Sequence, residues 1–251
     1  MSGLVPDAVV DLARSARRVL VLTGAGASAE SGVPTFRDAA TGLWARFDPM
    51  ELATPEAWAA DPAQCWAWYA WRAHLVRGAE PNAGHRAIAA WQQHEGVDLR
   101  VSTQNVDGLH ERSGAEVLAH VHGDLFALRC ARCGAASDAE YPPVPEPVER
   151  LEPPVCGRCG GLVRPGVVWF GEMLPAGALE ATVTAAEWAE MVVVVGTSGM
   201  VYPAAAVPGI AREAGVPVVE VNPAGSSLPD GADHVIEAPA GQALPALVAA
   251  L

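Results

Sequence analysis

The 251-residue chain is predicted to be an α/β protein built on a doubly wound parallel sheet, and two observations carry that prediction. Short apolar runs suited to buried strands (Val19 to Leu22, Leu99 to Ser102, Met191 to Val195, Pro217 to Val221) alternate with segments whose apolar spacing is helical. Each run is followed by small or polar residues: Gly24 to Ser28 after Leu22, Gln104-Asn105-Val106-Asp107 after Val101, Gly196-Thr197-Ser198 after Val195, and Asn222 after Val221. Open parallel sheets bind ligands outside the carboxyl ends of their strands, so four such ends describe a crevice able to hold a whole dinucleotide.

The elements follow in order. A helix over about Pro6 to Arg17 leads into the first strand, which feeds a Gly-x-Gly-x-x-Ala turn at Gly24 to Ala29. There small residues let backbone N–H groups approach a pyrophosphate at a helix N-terminus. Gly32 and Pro34 then interrupt the long helix of a dehydrogenase fingerprint, and no second strand ending in an acidic residue follows at the usual distance. A Trp-rich helical region (Pro55 to Arg77) precedes a helix over Asn82 to His94, the strand at Leu99 and a stretch from Val117 to His122. A cysteine-bearing insert with a proline-rich middle (Tyr141 to Pro154) leads to the segment Arg164 to Glu172. The last third reads as helix Ala176 to Glu190, strand Met191 to Val195, helix Pro203 to Ala214, strands Pro217 to Val221 and His234 to Glu237, and a final helix Leu244 to Leu251.

A net charge of −13 argues against nucleic acid as the principal partner, because phosphate binding needs a positive face. The longest apolar run is too short to span a bilayer and no leader pattern opens the chain, so a cytoplasmic protein without a membrane partner is expected. All 16 basic residues are arginine, which excludes a Schiff-base lysine and a phosphate-binding P-loop lysine.

Four of the five cysteines form two C-x-x-C pairs, Cys130/Cys133 and Cys156/Cys159. In a cytosolic chain this spacing points to one tetrahedral zinc held by four thiolates, the alternative being two disulfides. Gly134, Gly157 and Gly160 are expected to permit the tight knuckle turns. Four thiolates leave no open position, so such a metal holds structure. Cys65 reads as an ordinary buried thiol. His122, ending an apolar-alternating stretch and preceding Gly123, should lie at a strand end near the crevice, either as a general base or as a structural histidine.

Together these segments resemble the sirtuins, NAD-dependent protein lysine deacylases. The resemblance is carried by Gly24 to Ser28, Gly32 to Asp38, Thr103 to His110, His122-Gly123, the two cysteine pairs, Arg164 to Glu172, Gly196 to Ser198 and Glu220 to Pro223, in order over nearly the whole chain. It implies a Rossmann-like large domain (residues 1–40, 84–128 and 165–251), a helical insert (41–83) and a zinc ribbon (129–164). It further implies that NAD is consumed: the acyl oxygen of an acyl-lysine attacks ribose C1′, nicotinamide leaves, and 2′-O-acyl-ADP-ribose is released. His122 is then the base toward the ribose hydroxyls, with Asn105 as a second catalytic residue and Asp107 beside it in the nicotinamide pocket. Gly24, Ala25, Gly26, Ser28, Gln104, Val106, Gly196, Thr197, Ser198, Asn222 and Ala240 complete the cofactor contacts. Thr35, Phe36 and Arg37 belong to a loop closing over the dinucleotide. Val168, Phe170 and Gly171 match the strand that pairs with the substrate backbone.

Tyr69 and Arg72 stand three residues apart on one helical face and resemble the Tyr-x-x-Arg pair of the sirtuin class that removes succinyl, malonyl or glutaryl groups. Ala53 matches the small residue that widens that pocket. A guanidinium holds a distal carboxylate bidentately and a phenol adds a hydrogen bond, whereas an acetyl group leaves a buried arginine unpaired. The bland alternative is a core tyrosine beside a solvated arginine. The expectation is therefore a monomeric deacylase of acyl-lysine proteins or peptides that prefers acidic acyl groups to acetyl. Protein ADP-ribosyl transfer and a non-catalytic NAD-sensing module with a protein-binding zinc ribbon are the alternatives, with a dehydrogenase last.

Overall fold

The computed structural model describes residues 3–33 and 52–251. The chain divides into two compact units, one comprising Met1–Gly32, Glu80–Val121 and Pro175–Leu251, the other Val33–Ala79 and His122–Leu174.

The first unit is a parallel sheet of six strands: β1 (Arg18–Thr23), β2 (Asp98–Thr103), β3 (Val117–His120), β6 (Met191–Val195), β7 (Val218–Val221) and β8 (His234–Ile236). Their order is β3-β2-β1-β6-β7-β8, and every pairing is parallel. Alternation along β1 sends Val19 and Val21 to one face and Leu20 and Leu22 to the other. Val19 and Val21 pack with Ile88, Trp91, Leu244 and Leu247, while Leu20 and Leu22 pack with Ala185, Ala186, Val207 and Ala211. Helices therefore cover both faces, which is why β1 and β6 read as unbroken apolar runs. The doubly wound sheet expected from the sequence is present.

Register decides what this sheet can do. Thr23 pairs with Thr103 and with Val195, and Val195 with Val221, so β1, β2, β6 and β7 end at one level. The chain runs outward from β1 in one direction and from β6 in the other, making the β1/β6 boundary the switch point of the sheet.

The Trp-rich region is two helices, α2 (Pro55–Ala60) and α3 (Pro62–Gly78), following α1 (Asp7–Ser15). Asp61 separates them, because its carboxylate accepts the Gln64 N–H at 3.0 Å while Pro62 opens a new first turn. Helix α4 (Ala83–Gln92) begins with a capping box in which Asn82 and His85 satisfy each other's backbone N–H groups. The final helix covers Ala240–Val248, beginning four residues earlier than expected, and carries Pro245 inside it. The segment expected as one helix from Pro203 is a 3-10 turn (Ala204–Ala206) followed by an α-helix (Val207–Glu213).

In the second unit α3 is buried nearly all round, with Trp66 stacked on Tyr141 at 4.7 Å and Trp68 set edge-on to Tyr69 at 4.6 Å. Strands β4 (Gly123–Cys130) and β5 (Val163–Val167) form an antiparallel pair. The stretch expected as one strand from Val117 to His122 ends at His120; His122 occupies the turn before β4. A Cβ on Gly123, whose φ is +79°, would fall 2.2 Å from the Gly166 carbonyl oxygen, so the turn admits no side chain. Among the described residues no helix is long and apolar enough to cross a membrane.

Candidate functional site

The strand-end loops of the first unit are locked to one another through backbone. Gly24 N–H donates to Val195 O at 3.0 Å, Gly26 N–H to Gly196 O at 2.9 Å, and Gly196 N–H to Val221 O at 3.0 Å. A Cβ on Gly26 would lie 2.8 Å from Gly196, and one on Gly196 (φ +61°) only 2.3 Å from the Ala27 nitrogen. The three glycines are thus required by each other at the switch point. The sequence brings the N–H groups of the Gly24 to Ala29 turn toward a pyrophosphate; of these, Gly24, Gly26 and Ala27 donate to protein carbonyls. A seven-residue 3-10 helix (Ala25–Ser31) follows and stops at Gly32, whose φ of 78° is left-handed, as the interruption in the pattern foretold.

Beside this loop lies a buried polar network. Ser28 Oγ donates to Asp107 Oδ2 at 2.7 Å and accepts from Asn105 Nδ2 at 3.1 Å, while Asn105 Nδ2 also donates to Gly24 O at 3.0 Å. Both amide hydrogens of Asn105 are engaged, and among the described residues nothing donates to its Oδ1. Asp107 Oδ1 accepts the Leu109 N–H at 3.0 Å. His85 Nδ1 accepts the Asn82 N–H, so Nε2 carries the hydrogen that faces Ser28 Oγ at 3.3 Å.

Behind it, Thr23 Oγ1 donates to Thr103 Oγ1 at 2.8 Å and so accepts from His110 Nε2 at 2.9 Å. Burial holds both imidazoles below the ordinary histidine range, His110 down to about 3, with His85 adding repulsion. Sequence reasoning overlooked His85 and His110. The signal for His85 was its place three residues after the capping Asn82; His110 gave none beyond its motif.

In the second unit His122 is half-buried, and its carbonyl accepts the Val168 N–H at 2.9 Å. Beyond β5 the chain leaves the sheet and turns: Phe170 N–H donates to Ala53 O at 2.9 Å and Glu172 N–H to Trp169 O at 3.0 Å. Val168 to Glu172 is thus no strand in the chain by itself. A buried knot pins this turn. Arg164 donates to both Glu172 oxygens at 2.6 and 2.9 Å, Glu172 accepts the Trp169 N–H at 2.9 Å, and the guanidinium carbon sits 3.1 Å from the Trp169 ring centroid. Trp169 Nε1 then donates to Tyr69 Oη at 2.9 Å. Tyr69 is fully buried; burial pushes its phenol far above the ordinary range against the pull of the Arg72 and Arg164 guanidiniums. Ala53 is buried too, and Arg72 is half-buried, 5.0 Å over Trp68, rather than fully buried.

The four paired cysteines converge, with all sulfurs within 4.8 Å of one another and the nearest, Cys130 and Cys159, 3.5 Å apart. Disulfide bonds are excluded at those separations. The N–H groups of Arg132 and Gly161 donate to Cys130 and Cys159 sulfur at 3.4 Å, as thiolates require. Gly134 and Gly160 have left-handed backbone as expected, but Gly157 does not. The glycine that packing demands is Gly161, where a Cβ would lie 2.8 Å from that of Arg132 and 3.1 Å from Cys130 sulfur. A four-thiolate set in this arrangement fits one tetrahedral zinc. Cys65, outside the cluster, donates to Leu52 O at 3.6 Å and is pushed by burial to about 11.

Residues 24–203 match the Sir2 family. The chain belongs to that family. It is 54% identical over 231 residues to the NAD-dependent protein deacylase of Mycobacterium tuberculosis, covering 92% of this chain and 96% of that one. It is 49% identical over 245 residues to the NAD-dependent protein deacylase of Corynebacterium glutamicum, covering 96% and 94%. Among solved structures, a Sir2 homologue in complex with NAD superposes with a TM-score of 0.87 at 42% identity, over 97% of this sirtuin and 92% of the other chain. A Sir2 protein bound to a propionylated peptide gives 0.81 at 28% identity, over 95% of each.

In this sirtuin Gly24 to Ser28, Gln104 to Asp107, Gly196 to Ser198 and Asn222 all stand at strand ends of the first unit, and Ala240 opens its last helix. Ala53, Tyr69, Arg72, Val168, Phe170 and Gly171 gather in the second. Thr35, Phe36 and Arg37 lie outside the described residues.

Proposed function

We propose that this sirtuin is an NAD-dependent protein lysine deacylase preferring acyl groups that end in a carboxylate, succinyl and malonyl, to acetyl. The deacylase reading draws support from the relatives of that name and from the strand-end crevice. Glycines close-packed at a switch point suit a dinucleotide, and among the described residues nothing donates to the Asn105 carbonyl beside the buried Ser28–Asp107 pair. NAD, bound there as co-substrate, would supply the ribose C1′ to which the acyl oxygen bonds as nicotinamide leaves; the ribose 2′ hydroxyl then takes the acyl carbon and one water is consumed as the amide C–N bond breaks, yielding lysine and 2′-O-acyl-ADP-ribose. This chain's part is to orient and to move a proton. Ser28 and Asp107 fix Asn105, the loops at Gly24 to Gly26, Gly196 to Ser198 and Asn222 hold the nucleotide, and His122 accepts a ribose hydroxyl proton. Cys130, Cys133, Cys156 and Cys159 hold one structural zinc with no position left for substrate.

One observation carries the acyl preference. Tyr69 Oη already accepts the Trp169 indole N–H, and among the described residues nothing accepts its own proton, which remains to be donated. Arg72, one turn along α3, adds the cation that a terminal carboxylate needs. Since Arg72 is half-buried, the penalty against acetyl is milder than full burial would give.

The test is nicotinamide release with succinyl-, malonyl-, acetyl- and unmodified lysine peptides. Release indifferent to the peptide sinks the deacylase reading. Arg72→Met should lower kcat/KM for succinyl-lysine by about 10- to 100-fold and for acetyl-lysine by less than about threefold. Equal losses defeat the acidic preference.

A further inference from the structure

Glu220 is a buried acid with no part in the chemistry above. It lies on β7, is 1% exposed, and by alternation faces the same side of the sheet as Val218. Among the described residues no arginine or histidine pairs with it, and the chain has no lysine.

Neutral donors surround it instead. Oε1 accepts from Ser227 N–H at 2.9 Å, Ser227 Oγ at 2.9 Å and Asn222 Nδ2 at 3.2 Å, and Oε2 accepts from Ser226 Oγ at 2.6 Å. Every donor comes from the loop after β7. That loop in turn grips the loop after β6: Asn222 Nδ2 reaches Thr197 O at 3.4 Å, the one Ser227 hydroxyl hydrogen is shared between Glu220 Oε1 and Thr197 O at 2.9 Å from each, and a Cβ on Gly199 would strike the Ser227 carbonyl oxygen at 2.2 Å. Asn222, expected to touch cofactor, has its amide nitrogen turned inward among Glu220, Ser227 and Thr197, and its Oδ1 accepts the Ala224 N–H at 3.2 Å.

We propose that Glu220 is a positioning residue for the dinucleotide, fixing the loops after β6 and β7 as one rigid wall of the crevice. A buried carboxylate that gathers four donors gives a loop one geometry, which neutral side chains with fewer acceptor sites would leave loose. The inference rests on the reading that NAD occupies the strand-end crevice. Within it the Asn222 amide nitrogen joins Glu220 in shaping the wall.

Glu220→Gln keeps the shape but replaces one acceptor oxygen with an NH2, breaking the contact with Ser226 or Ser227. Calorimetric titration with ADP-ribose, a probe that does not react, reads the wall directly. Wild-type protein that fails to bind ADP-ribose overturns the crevice reading itself. If the wild type binds, E220Q should bind about tenfold more weakly and raise KM for NAD by a similar factor. Its kcat at saturating NAD and its KM for the acyl peptide should stay within about twofold of wild type. ADP-ribose affinity unchanged in folded E220Q, or kcat falling in step with it, overturns the inference. Should E220Q fail to fold, Ser226→Ala removes only the Oε2 donor and must weaken ADP-ribose by at least about threefold for the inference to stand.

Discussion

His110 shows how one buried side chain writes a pH dependence into the whole fold. Its imidazole is held to about 3 by burial and by repulsion from His85, whereas the unfolded chain takes up that proton near 6.5. The folded pKa is depressed, so the stabilisation is complete above about pH 6.5 and is lost as pH falls toward 3. Unfolding free energy measured by urea titration should fall through that window with a slope approaching ~1.4 kcal/mol per pH unit from this group. The His110→Asn variant should lack that component. An identical slope in the variant would show that other groups set the acid limb.

Among elements, the loops between β1, β6 and β7 and the turn after β5 carry the most constraint. Gly196→Ala must place a Cβ against the Ala27 nitrogen in left-handed backbone, and should cost at least about 2 kcal/mol in chemical denaturation. Gly215→Ala, also left-handed at φ +79° but facing open space, meets only the backbone term and should cost about 1 kcal/mol. Equal losses would mean that packing at the switch point is slack. In the turn, Trp169→Phe keeps a ring over Arg164 but removes the indole N–H that orients the Tyr69 hydroxyl. KM for succinyl-lysine should rise about three- to tenfold while KM for acetyl-lysine holds. A parallel rise in both would assign Trp169 to the turn's structure alone.

For the molecule as a whole, the two units rest on different forces. The parallel sheet is held by apolar burial on both faces, whereas the ribbon gathers four thiolates that fit one metal. Converting Cys156 and Cys159 to serine should abolish bound zinc and strip hydrogen-exchange protection from residues 130–161. Strands β1, β2, β6 and β7 should keep theirs. Simultaneous loss of protection in the sheet would mean that the units fold as one.

The sequence by itself determined the parallel sheet, the strand-end loops and the metal cluster, because apolar period, glycine placement and C-x-x-C spacing act over a few residues. It placed Gly26, Asn105, Asp107, Tyr69 and Arg72 in their elements for the same reason. It missed the start of the last helix, which begins at Ala240 rather than Leu244. Only the tertiary structure decided which polar groups face one another. The N–H groups of Gly24 and Gly26 are held by Val195 at the end of β6 and by Gly196 just after it, His85 joins Ser28 across 57 residues, and Trp169 reaches Tyr69 across 100. Such partners depend on sheet order and register, which no local pattern encodes, and Glu220 acquires a role only once two loops distant in sequence close around it.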